Sequence, residues 1–419
     1  MYDVENHMAG TLHVADTIES SGFPLGFKVA QGTAHRPLAG MAAAEDILKV
    51  EVRAMGGHQK ECVVTDGVAG SAWRMVCDEG AGLNGTDLAP FPLGFMSAGL
   101  QAELLGRIAR LAHARAIPLG SLRTGLVNRY AFEGSFFRGT GRGSALAPAF
   151  QVHLDSPAPV QQVRALVAGA AGASPLLAAV KGALVNTFAL YVNGQRRTPL
   201  QVPPSTRADA PDPLKSWKGV PQPMAGSDAL ADMVAKLAPP PANGGPPRPP
   251  MLPDQDVRFA IEICGESHWQ DGIAASQTWA SKPFGSRFGL KSDERSAGDQ
   301  APSGLALAAA GVAFCLMTQL LRYAEFRKYQ IRAVRIVQYW PMQLVSGADG
   351  TDGTPSGTPS GTLTGTTGNL DTHVFLHGEE SDENMGHLLL SSANTCYLHA
   401  LLGAALQPDI ALLHNGVPA

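Results

Sequence analysis

The sequence has few of the features that mark secreted, metal-bound or nucleic-acid-binding proteins. Only 5 of its 419 residues are cysteine, and no two of them stand in a C-x-x-C spacing. Neither a disulfide framework nor a structural zinc site is therefore expected. Lysine and arginine together number 32 against 36 acidic residues, and neither sign is concentrated over a long stretch. This balance argues against nucleic acid as a partner.

Aromatic residues make up only 6% of the chain, whereas apolar residues make up 45%, so we expect cores built from Ala, Leu and Val. The first twenty residues carry early acids and no apolar run, unlike a signal peptide. Residues 305–321 are uncharged but fall short of the ~20 apolar residues that cross a bilayer. They also include Thr318 and Gln319. We therefore predict a core helix there, no membrane partner and a cytoplasmic protein.

A proline-rich segment, residues 201–256, divides the chain into two blocks. Its composition, for example LAPPPANGGPPRPPMLP, is typical of an extended, semi-rigid linker. The predicted domains are residues 1–200 and residues 257–419. A second biased segment, residues 346–369, is rich in Gly, Ser and Thr and predicts a surface loop.

The two blocks repeat the same order of predicted elements. Each has strands that end in an Asp-Glu pair, a Gly-containing loop and a long apolar helix. A strand hairpin and a second helical region follow, and each block closes on an Asn-Gly pair. Matched order over a whole block indicates internal duplication.

Several segments resemble the OsmC and organic-hydroperoxide-resistance family. In the first block, RIARLAHARAIPLGSLRTGLVNRY and AFQVHLDSPAPVQQVRALVAGAAGASP are similar to the family's helix, hairpin strand and second helix. In the second, LALAAAGVAFCLMTQLLRYAEFRKYQ is similar to its cysteine-bearing helix and SSANTCYLHALLG to the region of its second cysteine. The resemblance covers nearly all of both blocks, but neither of the biased segments.

The resemblance implies an α+β fold in which antiparallel sheets wrap around long central helices. Family members are usually homodimers with active sites between subunits, so a tandem fusion implies a single-chain pseudo-dimer that could assemble into a further homo-oligomer. The family reduces organic hydroperoxides with two cysteines. Cys315 falls at the attacking position and Cys396 at the resolving position, while the first block has Glu103 and Ser174 there.

One part of the family pattern is missing. The family has a glutamate ten residues before the attacking cysteine, where this chain has Leu305. That glutamate orients an arginine that holds the cysteine as a thiolate. Arg287 and Arg36 are the loop residues that could supply such an arginine here.

Three functions remain open from the sequence, none of which needs a cofactor or a metal. The first is thiol-dependent reduction of an apolar organic hydroperoxide, with a dithiol as the reductant. The second is a hydrolase or lyase acting on a hydrophobic substrate through a cysteine and His399, which would share a helix face with Cys396. The third is non-catalytic binding of a small molecule, with Cys315 as a core residue.

Overall fold

Strands and long apolar helices follow one another along the chain. In the computed structural model they form two sheets that enclose two helices. The α+β prediction is confirmed at this level: the described residues form eight α-helices and two nine-stranded sheets. The structure describes residues 16–30, 47–65, 71–136, 138–218, 220–238, 260–281, 285–295, 298–346 and 363–419.

The elements of the first block precede the proline-rich segment. They are α1 (Ile18–Ser21), β1 (Gly26–Lys28), β2 (Ile47–Ala54), β3 (Lys60–Thr65), β4 (Ala72–Cys77), a short 3-10 helix (Ala81–Leu83), α2 (Pro92–Ala114), β5 (Leu122–Glu133), β6 (Arg142–Ala145), β7 (Ala149–Leu154), α3 (Val160–Gly172), α4 (Pro175–Lys181), β8 (Asn186–Val192) and β9 (Gln195–Arg197).

The remaining elements belong to the proline-rich segment and the second block. They are α5 (Leu214–Lys218), β10 (Val234–Leu237), β11 (Ala260–Gln270), β12 (Ile273–Ala280), β13 (Arg287–Asp293), α6 (Gly304–Arg327), β14 (Ile331–Ser346), β15 (Leu363–Thr367), β16 (Leu370–Gly378), α7 (Asp382–Thr395), α8 (Tyr397–Gly403), β17 (Asp409–His414) and β18 (Val417–Pro418).

Both sheets contain strands of both blocks. The first sheet has the order β1-β4-β3-β2-β14-β16-β8-β9, with β15 beside β14. The second has the order β10-β13-β12-β11-β5-β7-β17-β18, with β6 beside β5. The two orders are similar: each places four strands beside strands of the other block, although β10, at the position of β1, comes from the proline-rich segment. The blocks predicted as separate domains therefore exchange strands and share their sheets.

Helices α2 and α6 pack against each other between the sheets, α6 on the first and α2 on the second. Glycine allows their close approach: a Cβ on Gly99 would lie 2.5 Å from the Gly304 carbonyl oxygen. Helix α6 starts at Ser303, whose hydroxyl accepts the Ala306 N–H at 3.1 Å. It is the one helix in the described ranges long and apolar enough to cross a membrane, but 94% of its apolar window is buried in protein. Helix α6 is therefore buried as the core helix of the fold.

The proline-rich segment is not the extended linker that its composition predicts. Ala210 and Trp217 are buried against the outer face of the first sheet, and β10 pairs with β13 at the edge of the second. Asp212 accepts two hydrogen bonds from Arg335, at 2.6 and 2.8 Å. Isolated apolar and charged residues between the prolines thus fix the segment to the sheets. Residues 239–259 lie outside the described part of the chain.

The Gly/Ser/Thr-rich segment also departs from its predicted loop structure where it is described. Its last part forms β15, which pairs antiparallel with the end of β14. A Cβ on Gly365 of this strand would lie 2.3 Å from the carbonyl carbon of Ser174, so glycine lets the strand approach helix α4. Residues 347–362 lie outside the described ranges.

Candidate active site

The structure brings Cys315 and Cys396 into contact. Cys315 lies in the middle of α6, and Cys396 lies where the chain turns from α7 into α8. The turn arises because Cys396 adopts an extended backbone conformation that ends α7. Both residues are buried free thiols, and a hydrogen bond joins their side chains. Residues 81 positions apart in sequence therefore form one dithiol.

Cys315 forms part of the wall of a cavity of about 700 Å³. Such a volume is ordinary for the binding site of a small organic molecule. Cys396 does not line this cavity and is completely buried behind Cys315. Most of the wall is apolar and comes from both blocks: Phe91, Pro92, Leu93, Phe132, Phe136, Ile261, Ile263, Phe326 and Tyr397.

A buried ion pair lies at the same cavity, one helical turn from Cys315. Glu79 Oε1 accepts the Lys60 ammonium at 3.0 Å and the Thr318 hydroxyl at 2.6 Å. Burial alone would lower the pKa of Lys60, but Cys77, Glu79 and Asp78 outweigh it and raise that pKa. Lys60 is thus a charged lysine with no exposed surface.

The sequence reasoning missed this pair. Lys60 stands in β3, where an alternating pattern of buried and exposed side chains would place a lysine in solvent. In the sequence, Glu79 stands out only as part of the Asp-Glu pair that ends a strand. The recurrence of that acidic pair in both blocks was the available signal.

The arginine candidates do not reach the dithiol. Arg287 is the first residue of β13 and donates its Nε–H to the Ala238 carbonyl oxygen at 3.2 Å. It is absent from the wall of the Cys315 cavity. Arg36 lies outside the described residues. Leu305, at the position where the resemblance leads us to expect a glutamate, lines a second, smaller cavity.

His399 contacts the dithiol from the side away from the cavity. Its imidazole lowers the pKa of the Cys396 thiol, and both ring nitrogens are buried without a hydrogen-bond partner of their own in the described part of the chain. The ring packs edge-on against Phe188, with centroids 5.4 Å apart. Cys396 precedes His399 by three residues at the start of α8, so the two residues are near neighbours, and their pairing in catalysis stays a prediction.

The two thiols differ in their preferred protonation. Burial, together with the hydrogen bond to Cys396, raises the pKa of Cys315 well above its usual range. Burial also opposes ionisation of Cys396, but the Cys315 thiol and the His399 imidazole lower its pKa well below the usual range. Among the described residues, Tyr130, Tyr397 and Glu79 are further titratable groups that interact with the pair. The structure therefore favours a thiol on Cys315 and a thiolate on Cys396.

This asymmetry predicts thiolate absorbance near neutral pH. A cysteine with a lowered pKa is deprotonated above that pKa, so the 240 nm absorbance of Cys396 should be present at neutral pH and disappear as the pH falls. Removing the imidazole, which lowers the pKa of Cys396, with His399→Gln should move this transition to higher pH. The matched control is His387→Gln, which changes an exposed histidine on α7. An unchanged titration in His399→Gln would contradict the pairing.

Two buried polar residues of the first block, Glu103 and Ser174, form a contact of their own. The Ser174 hydroxyl donates to Glu103 Oε2, and Glu103 Oε1 accepts from Arg107 Nε at 2.5 Å. Glu103 and Ser174 are thus in contact, like Cys315 and Cys396, but they have no thiol chemistry. Within the described ranges, no group of three or more His, Cys, Asp or Glu residues could hold a metal ion.

Comparison with known proteins yields one structural similarity. No protein-family model matches the chain, and no curated protein sequence matches it. The chain is similar to the crystal structure of an OsmC-like hydroperoxide resistance protein from Jannaschia sp. CCS1, with 21% identity and a TM-score of 0.25. The alignment covers 38% of this chain and 96% of that chain. A TM-score this low does not indicate a shared function.

Proposed function

We propose that the protein reduces an apolar organic hydroperoxide, with Cys315 as the attacking cysteine and Cys396 as the resolving cysteine. The observation that carries the proposal is the arrangement of the dithiol. Cys315 faces an apolar cavity, and Cys396 touches it from behind. A substrate in the cavity would contact the Cys315 sulfur. The Cys396 sulfur would then react with the oxidised form of Cys315.

The reaction balances with these residues and an external dithiol. Cys315 loses its proton and attacks the terminal oxygen of the hydroperoxide, the O–O bond breaks, and the alkoxide takes the proton to become an alcohol. The Cys315 sulfenic acid then reacts with the Cys396 thiolate, which forms a disulfide and expels hydroxide. A proton from the solvent converts that hydroxide to water. A dithiol reductant is oxidised to a disulfide as it restores both cysteines.

The Cys396 thiolate also provides a base for the first step. The Cys315 thiol donates a hydrogen bond to it, so the proton can leave Cys315 along that bond. This route needs neither the family's arginine nor its glutamate. It accounts for the absence of Arg287 from the site and for Leu305 at the glutamate position.

We infer the architecture that goes with this activity from the strand orders. Residues 1–200 and 257–419 would be OsmC-like repeats joined by residues 201–256, and their exchanged strands would make a single-chain pseudo-dimer with one redox site. The similar strand orders of the two sheets support this interpretation. The buried free thiols suit a cytoplasmic protein, because reducing compartments keep thiols reduced.

The contact between Cys396 and His399 favours a second candidate, a cysteine hydrolase or lyase acting on a hydrophobic substrate. Burial weighs against Cys396 as its nucleophile, because this sulfur does not line the cavity. If Cys315 were the nucleophile, no resolving sulfur would be needed. The third candidate, a non-catalytic small-molecule binding protein, would leave both thiols unreacted.

The deciding experiment adds one equivalent of cumene hydroperoxide to the reduced protein. We expect two thiols per chain to be lost and peptide mapping to find a Cys315–Cys396 disulfide. In Cys396→Ala, which also lacks the proposed base, Cys315 should react more slowly and stop at a sulfenic acid that dimedone traps. Full retention of both thiols would favour the binding protein. Ester hydrolysis that survives in Cys396→Ala would favour the hydrolase.

A further inference from the structure

A second cavity, of about 240 Å³, lies beside α2 and borders neither Cys315 nor Cys396. Its polar wall comes from α2 and from the loop between β13 and α6. Its apolar wall includes Trp73 of β4, Leu305 at the start of α6 and Met342 of β14. The peroxide reaction proposed above does not use this cavity.

Two of the three guanidinium groups at this cavity are paired with carboxylates. Arg107 donates to Glu103 at 2.5 Å, and Arg295 donates its Nε–H to Asp293 at 2.8 Å. Arg110 instead donates its Nε–H to the Gly106 carbonyl oxygen at 3.3 Å. No carboxylate oxygen of the described residues lies within 4.0 Å of its guanidinium. Arg110 is therefore the arginine at this cavity without an ion pair in the described residues, because Glu294 and Glu103 act on it only from beyond 4.0 Å.

The surroundings of Arg110 disfavour an uncompensated charge. Burial and the neighbouring Arg107, three residues earlier on the same helix face, lower the pKa of Arg110. The remaining carboxyl at the cavity, Glu294, has its pKa raised by burial and already accepts the Gly304 N–H at 2.5 Å. An added anion beside Arg110 would relieve the repulsion between the two arginines.

We propose that this second cavity binds a small carboxylic acid in its anionic form. The carboxylate would pair with the guanidinium of Arg110, whose planar fork matches its geometry. An apolar body would pack against Trp73, Leu305 and Met342. At about 30 Å³ for each water-sized group, the cavity holds a body of roughly eight such groups, about the size of an aromatic ring with one substituent.

The test measures binding of benzoate to the full chain by isothermal titration calorimetry. We expect one saturable site per chain, and at least tenfold weaker binding of benzamide, which has the same shape without the charge. Arg110→Gln should weaken benzoate binding at least tenfold. The control Arg164→Gln, which changes an exposed arginine on α3, should leave it unchanged. Equal affinity for benzoate and benzamide, or an unaffected Arg110→Gln variant, would overturn the proposal.

Two further variants locate the ligand. Arg322 lines the larger cavity, so Arg322→Gln should bind benzoate as the wild type does, and a loss there would place the ligand beside Cys315 and overturn the proposal. Leu305→Trp should fill the second cavity from a half-buried position and abolish binding without touching an arginine. This variant keeps the proposal testable if Arg110→Gln does not fold. Unaltered binding in Leu305→Trp would also overturn it.

Discussion

Replacing Cys315 with serine should lower the turnover of cumene hydroperoxide by about three orders of magnitude or more. The serine hydroxyl is a far weaker nucleophile than a thiolate and forms no sulfenic acid. Because Cys315 sits in a wall of small and apolar residues on α6, the substitution changes one atom with little effect on packing. Turnover is measured from peroxide consumption with dithiothreitol as the reductant.

Cys264→Ser is the matched control for this variant. Cys264 is also buried, but it packs with Val127 and Trp279 in a separate cluster on the second sheet. Its replacement should leave turnover within about twofold, since surrounding structure and chemistry at the dithiol are unchanged. Full activity in Cys315→Ser would refute the proposed reaction, whereas loss in both variants would point to a general effect on folding.

Lys60→Met should destabilise the protein by about 3–5 kcal/mol, because it leaves the Glu79 carboxylate buried without its cation. Lys60 has no exposed surface and Glu79 is 3% exposed, so bulk water reaches the unpaired carboxylate poorly, and only from the cavity that Glu79 lines. The free energy of unfolding is measured by urea denaturation monitored by circular dichroism.

Two comparisons test this explanation. Arg332→Met breaks the Arg332–Glu379 pair, whose side chains are 48% and 66% exposed, and should cost less than about 1 kcal/mol. The double variant Lys60→Met, Glu79→Leu removes both charges and should recover most of the loss. Thr318 keeps a hydrogen bond to the Phe314 carbonyl oxygen in that variant. A loss as large in the double variant would show that packing, rather than the unpaired charge, was responsible.

The sequence predicts the order of elements and the central helix because those depend on local pattern. The apolar run 305–321 falls inside α6, and its burial follows from the lack of charge. The contact between Cys315 and Cys396 came from the family resemblance, and Cys396 with His399 came from helical spacing. In each case the distance between the residues depends on a single element or a single known motif.

The parts that sequence reasoning missed depend on pairing between distant strands. Whether Lys60 is buried depends on β3 being an inner strand of the first sheet, with α6 packed on its face. Composition likewise predicted a linker where Trp217 packs against the first sheet, because a few apolar residues count little in a proline-rich average. Arg287 does not reach the dithiol because it lies on β13, next to the edge strand β10 of the second sheet.

The exchange of strands also determines when the protein can complete its fold during synthesis. Strand β2 forms one hydrogen-bonded edge with β3, but its other edge pairs with β14. About 280 residues separate β2 from β14, which a ribosome takes roughly 15 to 60 seconds to make. Throughout that interval β2 has an open edge of the kind that recruits other strands. The partner strand of β2 lies on the same molecule, but the nascent first block depends on protection from aggregation until that strand emerges.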